Sequence, residues 1–292
     1  MADPGSGGGR FSPGRTRELL QRIGHHPVRK LGQNFLVDGN IVDKSVRLAG
    51  DLTGVPVVEI GPGLGTLTGA LLEAGAEVWA VERDERLAGL LKAEPGFAGN
   101  NRLHLRTGDA LNHPLAGLPD DQQRADFRIV ANLPYAITSP WVSRVLEQPV
   151  LPRHLVLLMQ LEAADRLAGQ PGGKQFGPLA IRTQAAYRIG ERHKVAPGCF
   201  YPRPEVDSAL LVLERRAKPH VFSPATVTLL RDIFLQRRKQ LGSRLRKLDT
   251  GPAVLAWWEQ HVATPLGPGC RPEAVPLTAW IALDEALRAG LA

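Results

Sequence analysis

Short apolar runs alternate with amphipathic stretches along the first half of the chain. The apolar runs predict strands at residues 57–60, 78–81, 103–105, 127–131 and 154–159. Apolar positions with helical spacing lie between them, at 67–73, 86–92 and 140–147. Such alternation is typical of a mostly parallel sheet with helices on both faces, and a late apolar run at 207–214 is expected to be its last strand.

The pattern differs at the two ends of the chain. A first helix is expected to begin after Ser12, with Pro13 in its first turn, and to stop at Gly24. After residue 216 the periodicity becomes helical, at 226–248, 253–262 and 278–289. We therefore predict a flexible tail at 1–12, an α/β domain at 13–217 and a small helical domain at 218–292.

Composition limits the classes of partner and compartment. The 292 residues carry 36 Lys and Arg against 29 Asp and Glu, a formal charge of +7 that favours a polyanionic partner. Cys199 and Cys270 lack metal-ligand spacing, so we expect neither a metal site nor a disulfide framework. With no long apolar run and no apolar signal core near the N-terminus, we expect a cytoplasmic monomer without membrane contact.

A glycine turn follows the first strand of the alternating region. Gly61, Gly63 and Gly65 lie between this strand and a helix, where glycine lets the backbone approach a ligand closely. A dehydrogenase would also use such a turn, but the G-x-G-x-G spacing with Glu59 before it favours a methyltransferase. Glu82, at the end of the second strand, is placed to accept hydrogen bonds from ribose hydroxyls.

Two further strand ends carry candidate chemistry. Asp109 follows the third strand. At that position a carboxylate can accept a hydrogen bond from the adenine amino group of an adenosine-containing cofactor bound at the glycine turn. Asn132-Leu133-Pro134-Tyr135 follows the fourth, at the edge where open α/β sheets bind ligands. The Asn132 amide oxygen and the Leu133 carbonyl can bind the two N–H groups of a planar amino group, Pro134 stiffens the turn, and Tyr135 offers a stacking face.

Other segments are predicted to complete the substrate site. The glycine turn and residues 132–135 together suggest an enzyme that methylates the exocyclic nitrogen of a base. Phe200, in a proline-fixed loop, is expected to cover the face of this base that does not stack on Tyr135, because an extruded base needs contacts on both sides. Residues 169–178 are expected to form a mobile loop beside the site. A basic helix is expected to contact phosphates; its candidate RNA-binding residues are Arg237, Arg238, Lys239 and Arg244.

Several of these motifs, in this order, resemble the ribosomal RNA adenine dimethyltransferases of the small-subunit type (the KsgA/RsmA family). The resemblance covers nearly the whole chain after residue 15 and rests on K-L-G-Q-N-F-L at 30–36, E-I-G-P-G-L-G-T-L-T at 59–68, N-L-P-Y at 132–135, F-x-P-x-P-x-V-x-S at 200–208 and the basic helix. It implies a class I (Rossmann-like) methyltransferase domain and dimethylation of two adjacent adenines near the 3′ end of small-subunit rRNA, in a nearly mature pre-30S particle. It also implies S-adenosylmethionine contacts from Asn34, Leu36, Gly61, Glu82, Asp109 and Asn132. Gln33, Gly63 and Gly65 are expected to belong to the same cofactor site.

Three positions depart from the family pattern, and two other functions remain open. Leu161 stands where a basic residue is common, Phe176 where Tyr is usual, and Gly242 where a longer polar side chain is common. The large-subunit rRNA adenine dimethyltransferases of the antibiotic-resistance type share the chemistry. A ribosome-assembly factor that binds RNA without methylating it would not need Asn132, Tyr135, Glu82 and Asp109 together.

Overall fold

The computed structural model describes residues 12–27, 33–124, 126–248 and 250–290. These residues form two compact units. The first contains the described residues up to Ala164 together with Ile189–Arg215, and the second contains Asp165–Arg188 together with the described residues from Arg216 onward. Apart from Ser12, the predicted tail lies outside the described residues, as does the 28–32 segment that contains the beginning of the K-L-G-Q-N-F-L motif.

Nine strands and thirteen α-helices are found in the described part of the chain. The strands are β1 (Phe35–Leu36), β2 (Pro56–Ile60), β3 (Glu77–Glu82), β4 (Leu103–Thr107), β5 (Arg128–Asn132), β6 (His154–Gln160), β7 (Tyr187–Val195), β8 (Phe200–Tyr201) and β9 (Ser208–Arg215). The helices are α1 (Pro13–Arg22), α2 (Gly39–Ala49), α3 (Thr66–Glu73), α4 (Glu85–Ala93), α5 (Asp120–Arg124), α6 (Thr138–Val145), α7 (Leu161–Leu167), α8 (Pro178–Ala186), α9 (Pro224–Phe234), α10 (Leu241–Leu245), α11 (Pro252–Trp258), α12 (Thr264–Leu266) and α13 (Leu277–Gly290). None of the helices in these ranges has the length and apolar character needed to cross a membrane.

The main sheet has seven strands in the order β4-β3-β2-β5-β6-β9-β7. Strands β2 to β6 pair in parallel, and β9 runs antiparallel to β6. The predicted α/β alternation is therefore confirmed. β9 is the last strand along the chain, but β7 lies beyond it at the edge. The sequence pattern did not reveal β7, because its many polar residues, exposed on this edge strand, hide the apolar alternation.

The N-terminal helix forms as its cap signals predict. The Ser12 hydroxyl accepts a hydrogen bond from the Arg15 amide at 3.1 Å, Pro13 is the first helical residue, and Gly24 takes a φ of 59° just after the helix. Such a positive φ favours glycine, which is why the helix stops there.

The second unit contains a segment that was predicted to belong to the α/β domain. Its core includes Phe176 and Ile181 together with Leu230, Trp257 and Trp280 from the C-terminal helices. Because Phe176 and buried residues of α8 belong to this core, a single boundary near residue 217 does not describe the second unit completely. The sequence pattern did not predict α8, because a helix that is buried on almost every side has no alternation of apolar and polar faces.

The helix predicted at 226–248 is interrupted. Helix α9 ends at Phe234, a turn follows, and α10 begins at Leu241. The interruption lets Leu241 bury its side chain completely while its amide donates to the Cys270 carbonyl at 2.8 Å. The basic residues 237–239 therefore lie in a turn and not on a helix.

Candidate active site

The glycine turn has the geometry of a ligand cradle. Gly61, Gly63 and Gly65 take φ values of 65°, 59° and 81° between β2 and α3. At Gly65 a Cβ would lie 2.5 Å from the Phe97 ring and 2.6 Å from Leu91. The turn therefore requires glycine for both its backbone conformation and its packing.

Glu82 is held against this turn at the end of β3. Its carboxylate accepts hydrogen bonds from the Gly63 amide at 3.0 Å and from the Asp84 amide at 2.9 Å. Burial raises the pKa of Glu82, and the two amide donors oppose that rise. The acid predicted to bind ribose is thus fixed beside the backbone of the cradle.

Glu59 lies on the other side of the turn and is fully enclosed. Its carboxyl accepts a hydrogen bond from the Thr68 hydroxyl at 2.7 Å. Burial raises the pKa of Glu59 to about 8, so the group is mostly protonated at neutral pH. In the sequence Glu59 served only to recognise the motif, and nothing there indicated this protonated state.

Asp109 lies at the opposite end of the cradle. It accepts a hydrogen bond from the Leu111 amide at 2.8 Å, and Arg83 lies 3.7 Å away. It lines a cleft of about 100 Å³ that also contains Gly61, Glu82 and the apolar side chains of Val81 and Ile137. This combination of acceptor and apolar wall suits an adenine ring.

Residues 33–36 border a second cleft, of about 70 Å³, together with Glu59, the glycine turn and residues 132–135. Gln33 donates to Asp84 at 3.4 Å and contacts His25 at 3.1 Å. The Asn34 carbonyl faces Asn132. Leu36 is buried in the core, so its side chain supports the cleft from below.

The N-L-P-Y loop is anchored at both ends. The side-chain Nδ2 of Asn132 donates to the backbone carbonyl of Asn34 at 3.2 Å. The side-chain oxygen Oδ1 of Asn132 therefore points away from Asn34. The Leu133 amide donates to the Leu158 carbonyl at 2.9 Å, and the Tyr135 hydroxyl is 2.6 Å from the Ser208 hydroxyl. Burial raises the pKa of Tyr135, so the phenol stays neutral.

Phe200 does not take the predicted place over the base. Its side chain is only 3% exposed and packs in the core with Leu36, because β8 pairs with β1 in the register Leu36↔Phe200. The open cleft beside Tyr135, about 360 Å³, is bordered instead by the loop from Pro202 to Val206. The sequence motif showed that this loop belongs to the site but could not show which way Phe200 points.

The predicted RNA-binding residues differ in how they are held. Arg237 donates to the Lys174 carbonyl at 2.6 Å, and Arg244 donates to the Asp232 carbonyl at 3.0 Å. Both are half-buried and stabilise the second unit, whereas Arg238 and Lys239 are exposed. The segment expected to be a mobile loop is fastened by Arg237 and by the Gly172 amide, which donates to the Glu273 carbonyl at 2.6 Å.

The residues present fit S-adenosylmethionine. Glycines with positive φ leave room for a ligand against the backbone, Glu82 supplies an acceptor for ribose, and Asp109 with Val81 supplies a pocket for adenine. Gln33, Glu82 and Gly61 border both adjoining clefts, which makes the two a continuous path toward Asn132. Among the described residues, no group of three or more His, Cys, Asp or Glu side chains could hold a metal ion.

Fold and site together define a class I methyltransferase whose candidate site lies at the carboxyl edge of its sheet. The family model for ribosomal RNA adenine dimethylases matches residues 24–265, and the chain belongs to this family. It is 52% identical over 276 residues to the ribosomal RNA small subunit methyltransferase A of Opitutus terrae, covering 94% of this chain and 98% of the relative. The protein of the same name from Deinococcus radiodurans is 38% identical over 95% of this chain and 91% of its own.

Solved structures agree with this assignment. A dimethyladenosine transferase from Plasmodium falciparum has the same fold, with a TM-score of 0.71 over 87% of this chain and 98% of its own, at 23% identity. The 23S rRNA methyltransferase ErmE superposes with a TM-score of 0.62 over 87% of this chain and all of its own, at 27% identity. The chain is accordingly an S-adenosylmethionine-dependent rRNA methyltransferase.

Proposed function

We propose that the protein transfers two methyl groups to N6 of each of two adjacent adenines near the 3′ end of small-subunit rRNA. The observation that carries the proposal is the orientation of Asn132, whose amide is fixed by the Asn34 carbonyl beside Tyr135 and the glycine turn. The names of the relatives from Opitutus terrae and Deinococcus radiodurans support the small subunit as the substrate.

The chemistry requires an activated amino group, because the N6 lone pair of adenine is delocalised into the ring. The Asn132 carbonyl oxygen and the Leu133 carbonyl accept the two N–H groups and favour a more tetrahedral, more nucleophilic nitrogen. Tyr135, held by Ser208, supplies a flat surface for the base. Catalysis of this kind depends on positioning and electrostatics.

The cofactor is held by the other end of the site. S-adenosylmethionine supplies an electrophilic methyl group when bound. Glu82 accepts hydrogen bonds from the ribose hydroxyls, and Asp109 accepts one from the adenine amino group. The glycine turn lets the backbone approach the cofactor closely. Glu82 and Asp109 therefore determine affinity for the cofactor, while Asn132 and Tyr135 act on the target.

Three parts of the proposal go beyond the family assignment. We infer that the substrate is a maturing small ribosomal subunit, that the enzyme acts as a monomer in the cytoplasm, and that transfer is direct, without a covalent enzyme intermediate or a metal. The exposed Arg238 and Lys239 supply phosphate contacts. Because Asn132, Tyr135, Glu82 and Asp109 are all present, an assembly factor without activity is disfavoured.

The test is transfer of radiolabelled methyl groups from S-adenosylmethionine to separated small and large ribosomal subunits from an undermethylated strain. Nucleoside mass spectrometry identifies the product. Dimethyladenosine in the small subunit alone is the expected result. Label in the large subunit would move the protein to the antibiotic-resistance type, and bound cofactor without label in either subunit would favour the assembly factor.

A further inference from the structure

Gln160 occupies a distinctive place beside the site. It is the last residue of β6, the strand that neighbours β5, and it borders the 360 Å³ cleft together with Tyr135, Gln33 and Asn34. In the sheet register Asn132 lies opposite Leu158, two residues before Gln160, and two residues advance a strand by about 7 Å. Gln160 therefore lies one strand over from Asn132 and two residues further along, in a cleft that shares Gln33, Asn34 and Tyr135 with the cleft that Asn132 borders.

The hydrogen-bonding capacity of Gln160 is not used within the protein. Its backbone pairs with Ser208, the residue whose hydroxyl holds Tyr135, but its half-buried side-chain amide has no hydrogen-bond partner among the described residues. A partly enclosed amide of this kind has a donor and an acceptor to offer a ligand.

The other polar groups of the cleft have different uses. The Tyr135 hydroxyl is occupied by Ser208 at 2.6 Å, and Gln33 contacts Asp84 and His25. Arg203 and Glu205 are exposed at the rim, where they are solvated. Among these groups, Gln160 is a neutral, half-buried side chain whose amide donor and acceptor are not used by the described residues.

We propose that Gln160 determines specificity for adenine by donating a hydrogen bond from its side-chain amide to N1 of the target base. This inference rests on the proposed function, because it places the adenine amino group at Asn132 and Leu133. N1 is an acceptor in adenine, whereas in guanine it carries a hydrogen. N7 is an acceptor in both purines, so a contact to N7 would not distinguish them. A site built to bond a ring acceptor rejects a base that presents a donor there.

The test pairs a substitution in the enzyme with an atom change in the substrate. Small subunits are reassembled with a 3′ rRNA segment in which one target position holds adenosine, 1-deazaadenosine or 7-deazaadenosine, and its neighbour is already dimethylated. The kcat/KM for the first methyl transfer is measured for the wild type and for Gln160→Met, which keeps the length of the side chain but removes its amide. The second variant is Gln160→Asn, whose side chain is one methylene shorter, so that its amide lies further from the base.

The expected result is that Gln160→Met lowers kcat/KM on adenosine and on 7-deazaadenosine about tenfold, the usual worth of one hydrogen bond, and leaves 1-deazaadenosine unchanged. Gln148→Met is the control, because the side chain of this half-buried glutamine donates to the Arg144 carbonyl of its own segment at 3.0 Å and does not border the cleft. It should change none of the rates.

Three results would overturn the inference. An equal fractional loss on all three substrates, or a lower melting temperature in both Gln160 variants, would assign the side chain a structural role. If Gln160→Met did not lower kcat/KM on 7-deazaadenosine, the hydrogen bond from Gln160 would be assigned to N7 instead of N1. If the wild type fails to methylate the adenosine substrate, the proposed function itself is wrong, a result that differs from any change caused by Gln160.

Discussion

At the scale of single residues, Tyr135 combines a stacking face with a fixed position. Its ring borders the open cleft, while its hydroxyl lies 2.6 Å from Ser208. This hydrogen bond fixes the orientation of the ring. The ring and the hydroxyl therefore make separable contributions.

We predict that Tyr135→Ala lowers kcat on small subunits by about 100-fold, because stacking on an aromatic side chain contributes roughly 1–3 kcal/mol per base and misplacement adds to the loss. Tyr135→Phe keeps the ring and should lose less than about tenfold. Cofactor affinity, measured by calorimetry, should be unchanged in both variants. Equal losses in Phe and Ala would show that the hydroxyl, and not the ring, is the important group.

Glu59 gives the fold a pH dependence. Its pKa is raised by burial from 4.5 to about 8, so the folded state binds a proton that the unfolded state releases. Its stabilising contribution is complete below pH 4.5 and is lost as the pH rises through about 8.

We predict that the wild type loses stability relative to Glu59→Gln as the pH rises, by about 1.4 kcal/mol per pH unit at most. Glutamine keeps the shape and can still accept a hydrogen bond from the Thr68 hydroxyl. Urea unfolding of both proteins at pH 5, 7 and 9 measures the difference. A difference that does not change with pH would mean that Glu59 is ionised in the folded state.

At the scale of elements, the turn between β2 and α3 depends on close packing as well as on backbone conformation. Gly65 and Gly99 both have positive φ, 81° and 72°, but only at Gly65 does a Cβ meet neighbouring atoms. The pair therefore separates backbone strain from steric overlap.

We predict that Gly99→Ala costs about 1 kcal/mol of folding stability, the ordinary penalty for positive φ. Gly65→Ala should cost at least twice as much and should also weaken cofactor binding, since the added methyl pushes Phe97 and Leu91 away from the turn. Thermal unfolding and calorimetric titration measure the two effects. Equal behaviour of the two variants would show that backbone strain alone explains the need for glycine at Gly65.

A buried carboxylate joins two helices of the second unit. Asp284 of α13 is fully buried and accepts hydrogen bonds from Thr226 at 2.6 Å, from the Ser223 hydroxyl at 2.7 Å and from Arg288 at 2.8 Å. Burial alone would raise its pKa, but these donors outweigh burial and lower the pKa to about 2. The contribution to stability is present above pH 3.8 and is lost as the pH falls through about 2.

We predict that Asp284→Asn destabilises the protein at pH 7 by about 2 kcal/mol, and that the difference shrinks between pH 4 and pH 2. Urea unfolding across this range is the measurement. Glu285→Gln is the matched control, because the adjacent side chain is exposed and its loss should change little. A similar loss in both variants would mean that the effect comes from net charge and not from the cluster.

At the scale of the whole molecule, the charge of +7 is a property of the full chain, but only some of its cations are available to a partner. Arg237 and Arg244 are bound to carbonyl groups of the protein, while Arg238 and Lys239 extend into solvent. Binding to a ribosomal subunit should therefore depend on the exposed pair.

We predict that Arg238→Ala with Lys239→Ala weakens binding to small subunits. The slope of log Kd against log salt concentration should fall by roughly 0.7–0.9 for each phosphate that the variant no longer neutralises. Lys92→Ala with Arg124→Ala removes the same charge from exposed positions of the first unit. That control should bind nearly as the wild type does. Equal weakening in the two double variants would leave net charge as the sole cause.

Two of the three departures from the family pattern have a reason in the packing of the second unit. Phe176 is fully buried in the core of the second unit, where a hydroxyl would need a partner. At Gly242 a Cβ would lie 2.7 Å from the Trp258 ring, so the small residue accommodates the large one. Nothing in the structure explains Leu161.

The α/β alternation of a mostly parallel sheet, the glycine turn and the strand ends that carry Glu82, Asp109 and Asn132 could all be predicted from the sequence. These features are local: apolar spacing selects strand or helix, and consecutive parallel strands bring their carboxyl ends to one edge. Only the tertiary structure shows that Asn34 orients the Asn132 amide and that Ser208 anchors Tyr135. It also shows that Phe200 is buried and that residues 165–188 belong to the second unit. Each of these depends on partners far apart in the chain, because side-chain direction and burial follow from packing, which no local pattern encodes.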